Sequence, residues 1–278
     1  MTLDRKWLLG VARGEREALG RTIQYTPPEY WESTSPAEAW ERLRDILAHL
    51  AANEVSAAAL VGDEEATELE EYGKSLPKGE PFSAEGFNRW AVERRADQGH
   101  LTLALDWGRA ADLLLSRASQ LSDDDWNAKV VTWLAGDIKV GYLVQSRVAE
   151  WWIHGEDFRT GGRLPPRVQH PPIFVTNDLA VRMIPYALEV AGVSFPGRTV
   201  RIDLTAAGGG EWHQGLERGH VPEDGRPPDA WITGRADAFA MVAANRVDLE
   251  VCLYDGILNV GGDLEVAQTV LRTLRVFA

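Results

Sequence analysis

Residues 161–172, GGRLPPRVQHPP, divide the chain into two parts that obey different periodicities. Paired glycines stop a helix, and two proline pairs can neither continue one nor sit inside a sheet. The segment therefore predicts a linker. Upstream of it, apolar residues recur at three- and four-residue steps. Downstream, several short runs alternate apolar and polar residues. An α+β chain follows, with a helical domain over residues 1–164 and a smaller α+β domain over 165–278.

The helical half is specific enough to place. SPAEAWERLRDILAHLAANEVSAAALV carries Trp40, Leu43, Ile46, Leu47 and Leu50 on one stripe. Ser35 and Pro36 read as the N-cap and first residue of that helix. Residues 83–121 supply one or two further helices, SDDDW a capped start or a loop, and IKVGYLVQSRVAEWWIHGEDFRT another long helix. MTLDRKWLLGVARGERE reads as the first helix, giving four long helices in an up-and-down bundle. Beyond the linker, NDLAVRMIPYALEVAG, RADAFAMVAAN and LEVAQTVLRTLRVF read as helices. RTVRIDLTAAG, DAWITG and LEVCLYDGILNVGGD read as strands of an antiparallel sheet covered by helices on one face.

Composition excludes several functions. The formal net charge of −13 argues against nucleic acid and anionic membranes as partners, since both select a basic face. No apolar run approaches the ~20 residues of a bilayer span. The N-terminal segment lacks the apolar core and cleavage site of a signal peptide. The expected compartment is the cytoplasm, and the expected state a monomer or small homo-oligomer. Cys252 is the lone cysteine, which removes disulfides and thiolate metal sites. It falls in an apolar run and reads as inert.

The stretch RVAEWWIHGEDF, residues 147–158, places ionisable groups inside an apolar helix. Leu143, Arg147, Glu150, His154 and Asp157 are three or four residues apart and share one face. That face borders the apolar one carrying Val144, Val148, Trp151 and Trp152. Glu150 and His154, at i and i+4, bring a carboxylate and an imidazole to one point, as metal ligation requires and as a helical salt bridge also does. Zinc needs a third ligand. Of the six histidines, His49 in RLRDILAHLAANE, at the edge of that helix's apolar stripe, is the best placed, with His100 as its rival beside Gly99. Asp157 either pairs with a base or orients a ligand histidine.

ILAHLAANE followed about a hundred residues later by RVAEWWIHGEDFRTGGRLPP resembles the mycothiol-dependent maleylpyruvate isomerase family of DinB-like metal-binding four-helix bundles. The resemblance covers most of residues 5–165. It implies that His49, Glu150 and His154 are the metal ligands and that Asp157 is the motif's closing acid. Residues 230–274 are similar to the sterol-carrier-like domain often fused to that bundle. There Arg246 matches an arginine that reaches towards the active site, with Arg235 as a rival. A CPGW segment usual before the first ligand helix is replaced here by TPPEYWESTSPAEAWERL.

The resemblance implies an enzyme using zinc or another divalent metal to activate mycothiol or another low-molecular-weight thiol. The thiol would serve isomerisation of, or transfer to, a small acidic electrophile whose carboxylate Arg246 clamps. Two rival readings stand beside it. One is a non-catalytic module for an apolar ligand. The other is a metal-dependent hydrolase with Asp157 or Asp45 as general base. GDEEATELEEYG reads as a solvated acidic face. AAGGGEWHQG reads as a hairpin turn, with His213 and His220 exposed in loops.

Overall fold

The computed structural model describes residues 2–134, 136–223 and 225–275. The chain forms two compact units, 1–166 and 167–278, each with its own core.

The first unit is built on four long helices: α1 (Arg5–Tyr25), α2 (Leu43–Val61), α5 (His100–Gln120) and α7 (Val140–Gly161). Between them lie α3 (Thr67–Ser75), α4 (Ala84–Glu93), α6 (Asp123–Ala128) and a short antiparallel hairpin, β1 (Val130–Trp133) with β2 (Gly136–Lys139). The most extensive packing is α2 on α5 and α1 on α7, and α1–α5 and α2–α7 contacts close the ring. The order around the bundle is thus α1, α5, α2, α7. Chain neighbours α1 and α2 are not side by side, because the irregular segment 26–42 is long enough to carry the chain across the bundle.

That segment corrects one expectation. Ser35 and Pro36 do not start α2. Ser35 Oγ instead accepts from Ala37 N at 3.0 Å, Thr34 bridges to Arg42, and the helix begins at Leu43. Ser-Pro suits a turn as well as a helix start, and here the chain doubles back. The actual cap is made by Asp45, which accepts from Arg42 N at 3.1 Å and pairs with the Arg42 guanidinium at 2.9 Å. Trp40 still reaches the core at 7% exposure, entering it from the loop.

The second unit runs α8 (His170–Val190), β3 (Thr199–Thr205), β4 (Gly210–Gly215), β5 (Ala230–Arg235), α9 (Ala236–Ala243), α10 (Leu249–Tyr254), β6 (Leu258–Gly262) and α11 (Leu264–Thr273). The sheet order is β4-β3-β5-β6. Val200, Ile202 and Leu204 point into the core as the alternation predicts. The outer pairings are antiparallel, whereas β3 and β5 are parallel. After the β3–β4 hairpin the chain has returned to the start of β3, so β5 enters on the other side in the same direction. Pro171 and Pro172 belong to the first turn of α8, where a missing N–H costs nothing, and not to the linker. LEVCLY is helix α10 and not strand, because Asp248 caps it by accepting from Glu250 N at 2.8 Å.

Candidate metal centre

Helix α7 is buried on nearly every side, from Val140 to Phe158. Its ionisable groups cannot turn to water, so each must find a partner inside the protein. α2 supplies it. His49, Glu150 and His154 converge with their ligand atoms all within 4.8 Å of one another, and all three are buried. Glu150 Oε2 lies 3.2 Å from His49 Nε2 and 3.2 Å from His154 Nε2. The two imidazole rings meet edge to face, 5.2 Å between centroids.

The outer nitrogen of each ring is fixed. His154 Nδ1 donates to Asp157 Oδ2 at 2.8 Å. Asp157 is therefore the carboxylate that sets the tautomer of His154 and turns its Nε2 towards the cluster. His49 Nδ1 accepts from Asn53 Nδ2 at 3.0 Å, and the same amide nitrogen donates to Asn88 Oδ1 at 3.1 Å. Trp40 covers His49 with ring centroids 4.7 Å apart. Beyond Glu150, Arg147 Nε donates to Glu54 Oε1 at 3.1 Å, and the Trp151 indole donates to the same oxygen at 2.6 Å.

Electrostatics separate the two histidines. Burial pushes the His49 pKa down to about 4, only partly offset by Glu150. Burial acts on His154 in the same direction, but the neighbouring carboxylates of Asp157 and Glu150 outweigh it and raise its pKa. For Glu150, burial favours the neutral acid; His154, His49 and Arg147 reverse this and hold it well below the usual carboxylate range. Burial raises Glu54, against the opposing pull of Arg147 and Trp151.

A divalent cation fits these residues. With His154 Nδ1 donating to Asp157, the lone pair of Nε2 faces the cluster. That atom is buried and makes no hydrogen bond, although Glu150 Oε2 is within ion-pair distance. A ring nitrogen this close to a carboxylate oxygen needs positive charge between them, either a proton on the ring, which the raised pKa of His154 favours, or a bound cation that takes the proton's place. Charge points the same way. With neutral imidazoles, the carboxylates of Glu54, Glu150 and Asp157 exceed the Arg147 guanidinium by two negative charges, which a divalent ion would balance. Two histidines and one carboxylate are also a donor set that leaves zinc a position for substrate.

A family described as "Mycothiol maleylpyruvate isomerase N-terminal domain" matches residues 12–159. The chain belongs to this family. Among solved structures, the mycothiol-dependent maleylpyruvate isomerase is similar at TM-score 0.58 and 17% identity, over 88% of this chain and 90% of that one. A His-to-Ala variant of that isomerase gives TM-score 0.60 and 16% identity, over 94% and 95%. At such identities the likeness speaks for the fold. No curated protein matches in sequence.

The remaining sequence candidates are placed elsewhere. Asp45 is committed to the α2 cap, and His100 stacks on Trp31 at the start of α5 with 5.2 Å between ring centroids. Neither belongs to the cluster, so a hydrolase would lack Asp45 as its base. His170 Nδ1 accepts from Gly208 N at 2.9 Å. His213 is exposed as expected, though it lies in strand β4 and not in a loop. Cys252 is buried in α10 with its thiol pKa raised by burial and by Asp248 and Asp255, consistent with an inert residue. Arg235 pairs with Asp237 at 2.7 Å, while Arg246, half-buried after α9, donates to Ala244 O. Asn53, Asn88 and Glu54 are the residues that sequence reasoning missed. Glu54 carried the same signal as Glu150, an acid inside an apolar helix, in LAANEVSAAAL.

No described helix is long and apolar enough to cross a membrane.

Proposed function

We propose that this protein is a metal-dependent enzyme that uses mycothiol, or another small thiol, to isomerise or to modify a small acidic electrophile. The observation that carries the reading is the buried convergence of His49, Glu150 and His154 within a chain of the mycothiol maleylpyruvate isomerase family. These three residues would hold the ion, zinc by the nature of the donor set. A divalent metal there supplies the Lewis acidity that keeps a small thiol ionised at neutral pH, for addition to a conjugated double bond or attack on an electrophile.

The chain's own residues divide the remaining tasks. Asp157 and Asn53 hold the two imidazoles in orientation. Trp40 closes the apolar side of His49, and Trp151 and Trp152, at 0% and 2% exposure, keep water from the far side of α7. Arg246 is proposed to bind the substrate carboxylate. The sole protein thiol, Cys252, is buried and is not one of the converging residues, which favours a small-molecule thiol as the nucleophile.

The test is metal content per chain in protein purified without affinity metal or chelator, with His154→Ala beside it, followed by assays with and without mycothiol. Near-stoichiometric zinc, lost in the variant, and activity that requires the thiol are expected. A well-folded wild type that takes up no metal when zinc is offered would refute the reading. Thiol-independent hydrolysis would replace it with the hydrolase.

A further inference from the structure

Glu54 and Arg147 form a buried ion pair beside the metal centre that no ligand role explains. Their side chains are 0% and 3% exposed. Glu54 Oε1 receives two donors, Arg147 Nε at 3.1 Å and Trp151 Nε1 at 2.6 Å. The far side of the guanidinium is different. Arg147 Nη2 stops 3.8 Å from Glu150 Oε2 and makes no hydrogen bond. One buried cation thus lies between two carboxylates, bonded to one and short of the other. Guanidinium and carboxylate favour a close, two-pronged pairing. If Arg147 closed on Glu150, that carboxylate would be committed to an ion pair and would compete poorly as a ligand.

We infer that Glu54 is a positioning residue that holds Arg147 off Glu150 and so keeps the Glu150 carboxylate available to a metal. The inference rests on reading His49, Glu150 and His154 as ligands. Trp151 makes the restraint stiff: its indole pins the accepting oxygen, and the Arg147 guanidinium lies over the Trp133 ring, 5.6 Å from the centroid. Arg147 is accordingly not needed for the site. Without it, Glu54 keeps the Trp151 indole as its donor and Glu150 keeps both histidines beside it.

The test is zinc affinity of the full chain, by competition with a chromophoric chelator, for wild type, Glu54→Gln, Arg147→Met and the double variant. Glu54→Gln releases Arg147 onto Glu150 and should weaken zinc by at least about tenfold, within the range for residues that orient ligands. Arg147→Met should bind at least as tightly as wild type, and the double variant should match Arg147→Met. A merely structural pair predicts another pattern, with both single variants weakened alike. A tenfold loss in Arg147→Met, or wild-type affinity in a folded Glu54→Gln, overturns the inference while leaving the metal reading intact. If Glu54→Gln does not fold, Arg147→Met and the double variant still decide. Wild-type zinc uptake no better than that of His154→Ala would sink the metal reading and the inference with it.

Discussion

The two histidines of the cluster differ in how far their partners offset burial, and the difference is measurable without metal. His49 is depressed to about 4 from its ordinary 6.5. Between those values an unfolded chain binds a proton at this position and the folded chain does not, so stability rises with pH. The contribution is fully present above about pH 6.5 and is lost as pH falls towards 4. It amounts to about 3 kcal/mol at roughly 1.4 kcal/mol per unit. His154 has the opposite sign. Its raised pKa contributes fully below 6.5 and fades only as pH rises, so it adds no loss on the acid side. Glu150, held low, begins to lose its contribution below about 4.5. Urea unfolding of chelator-treated wild type and His49→Phe between pH 4.5 and 7 should therefore diverge, with only the wild type weakening steadily to pH 4.5. Parallel curves would contradict the burial argument. Glu150 and His154 were legible as a pair because ionisable groups at helical spacing inside an apolar run demand a partner, whereas the family resemblance singles out His49 over His100. Asn53 was not legible, and Glu54 showed the same signal without its role, because both roles depend on which helix lies opposite α2. Spacing along one helix cannot supply that.

At the scale of elements, the local rules worked where pattern and packing agree. α7 and β3 follow from their periodicities. α2 starts seven residues later than Ser35-Pro36 suggests, and α10 is a helix where β-branched and apolar residues suggest a strand. In both places one side-chain cap outweighs propensity, Asp45 on Arg42 in the first and Asp248 on Glu250 and Val251 in the second. The order of helices around the bundle was also beyond the sequence, since it depends on where the irregular segment 26–42 sends the chain. The cap at α2 gives a discriminating variant. Asp45→Ala removes the acceptor for Arg42 N and should destabilise the protein by about 1 kcal/mol. Zinc affinity and thiol-dependent turnover should stay at wild-type values, because Asp45 is committed to the cap. A selective loss of turnover with unchanged stability would return Asp45 to the chemistry.

For the whole molecule, the two units have separate cores, and the proposed roles divide between them. All of the proposed ligands lie in the first unit, within residues 1–166, and the proposed substrate clamp, Arg246, lies in the second. Metal binding and substrate recognition should then separate. Residues 1–166 expressed alone should fold and bind one zinc per chain, because His49, Glu150, His154, Asp157, Asn53, Asn88, Glu54 and Arg147 are all present. In the full chain, Arg246→Ala should leave zinc content and the unfolding midpoint unchanged while lowering kcat/KM for an acidic substrate. A charge-assisted hydrogen bond contributes about 1.5–3 kcal/mol, which corresponds to roughly 10- to 100-fold in kcat/KM. Arg235→Ala, with its guanidinium occupied by Asp237, should change neither. If the defect appears as a higher KM at constant kcat, Arg246 binds ground state and transition state alike. If kcat falls with it, the carboxylate must be held for the reaction itself. An Arg246→Ala enzyme with wild-type kcat/KM would place substrate recognition wholly within the first unit.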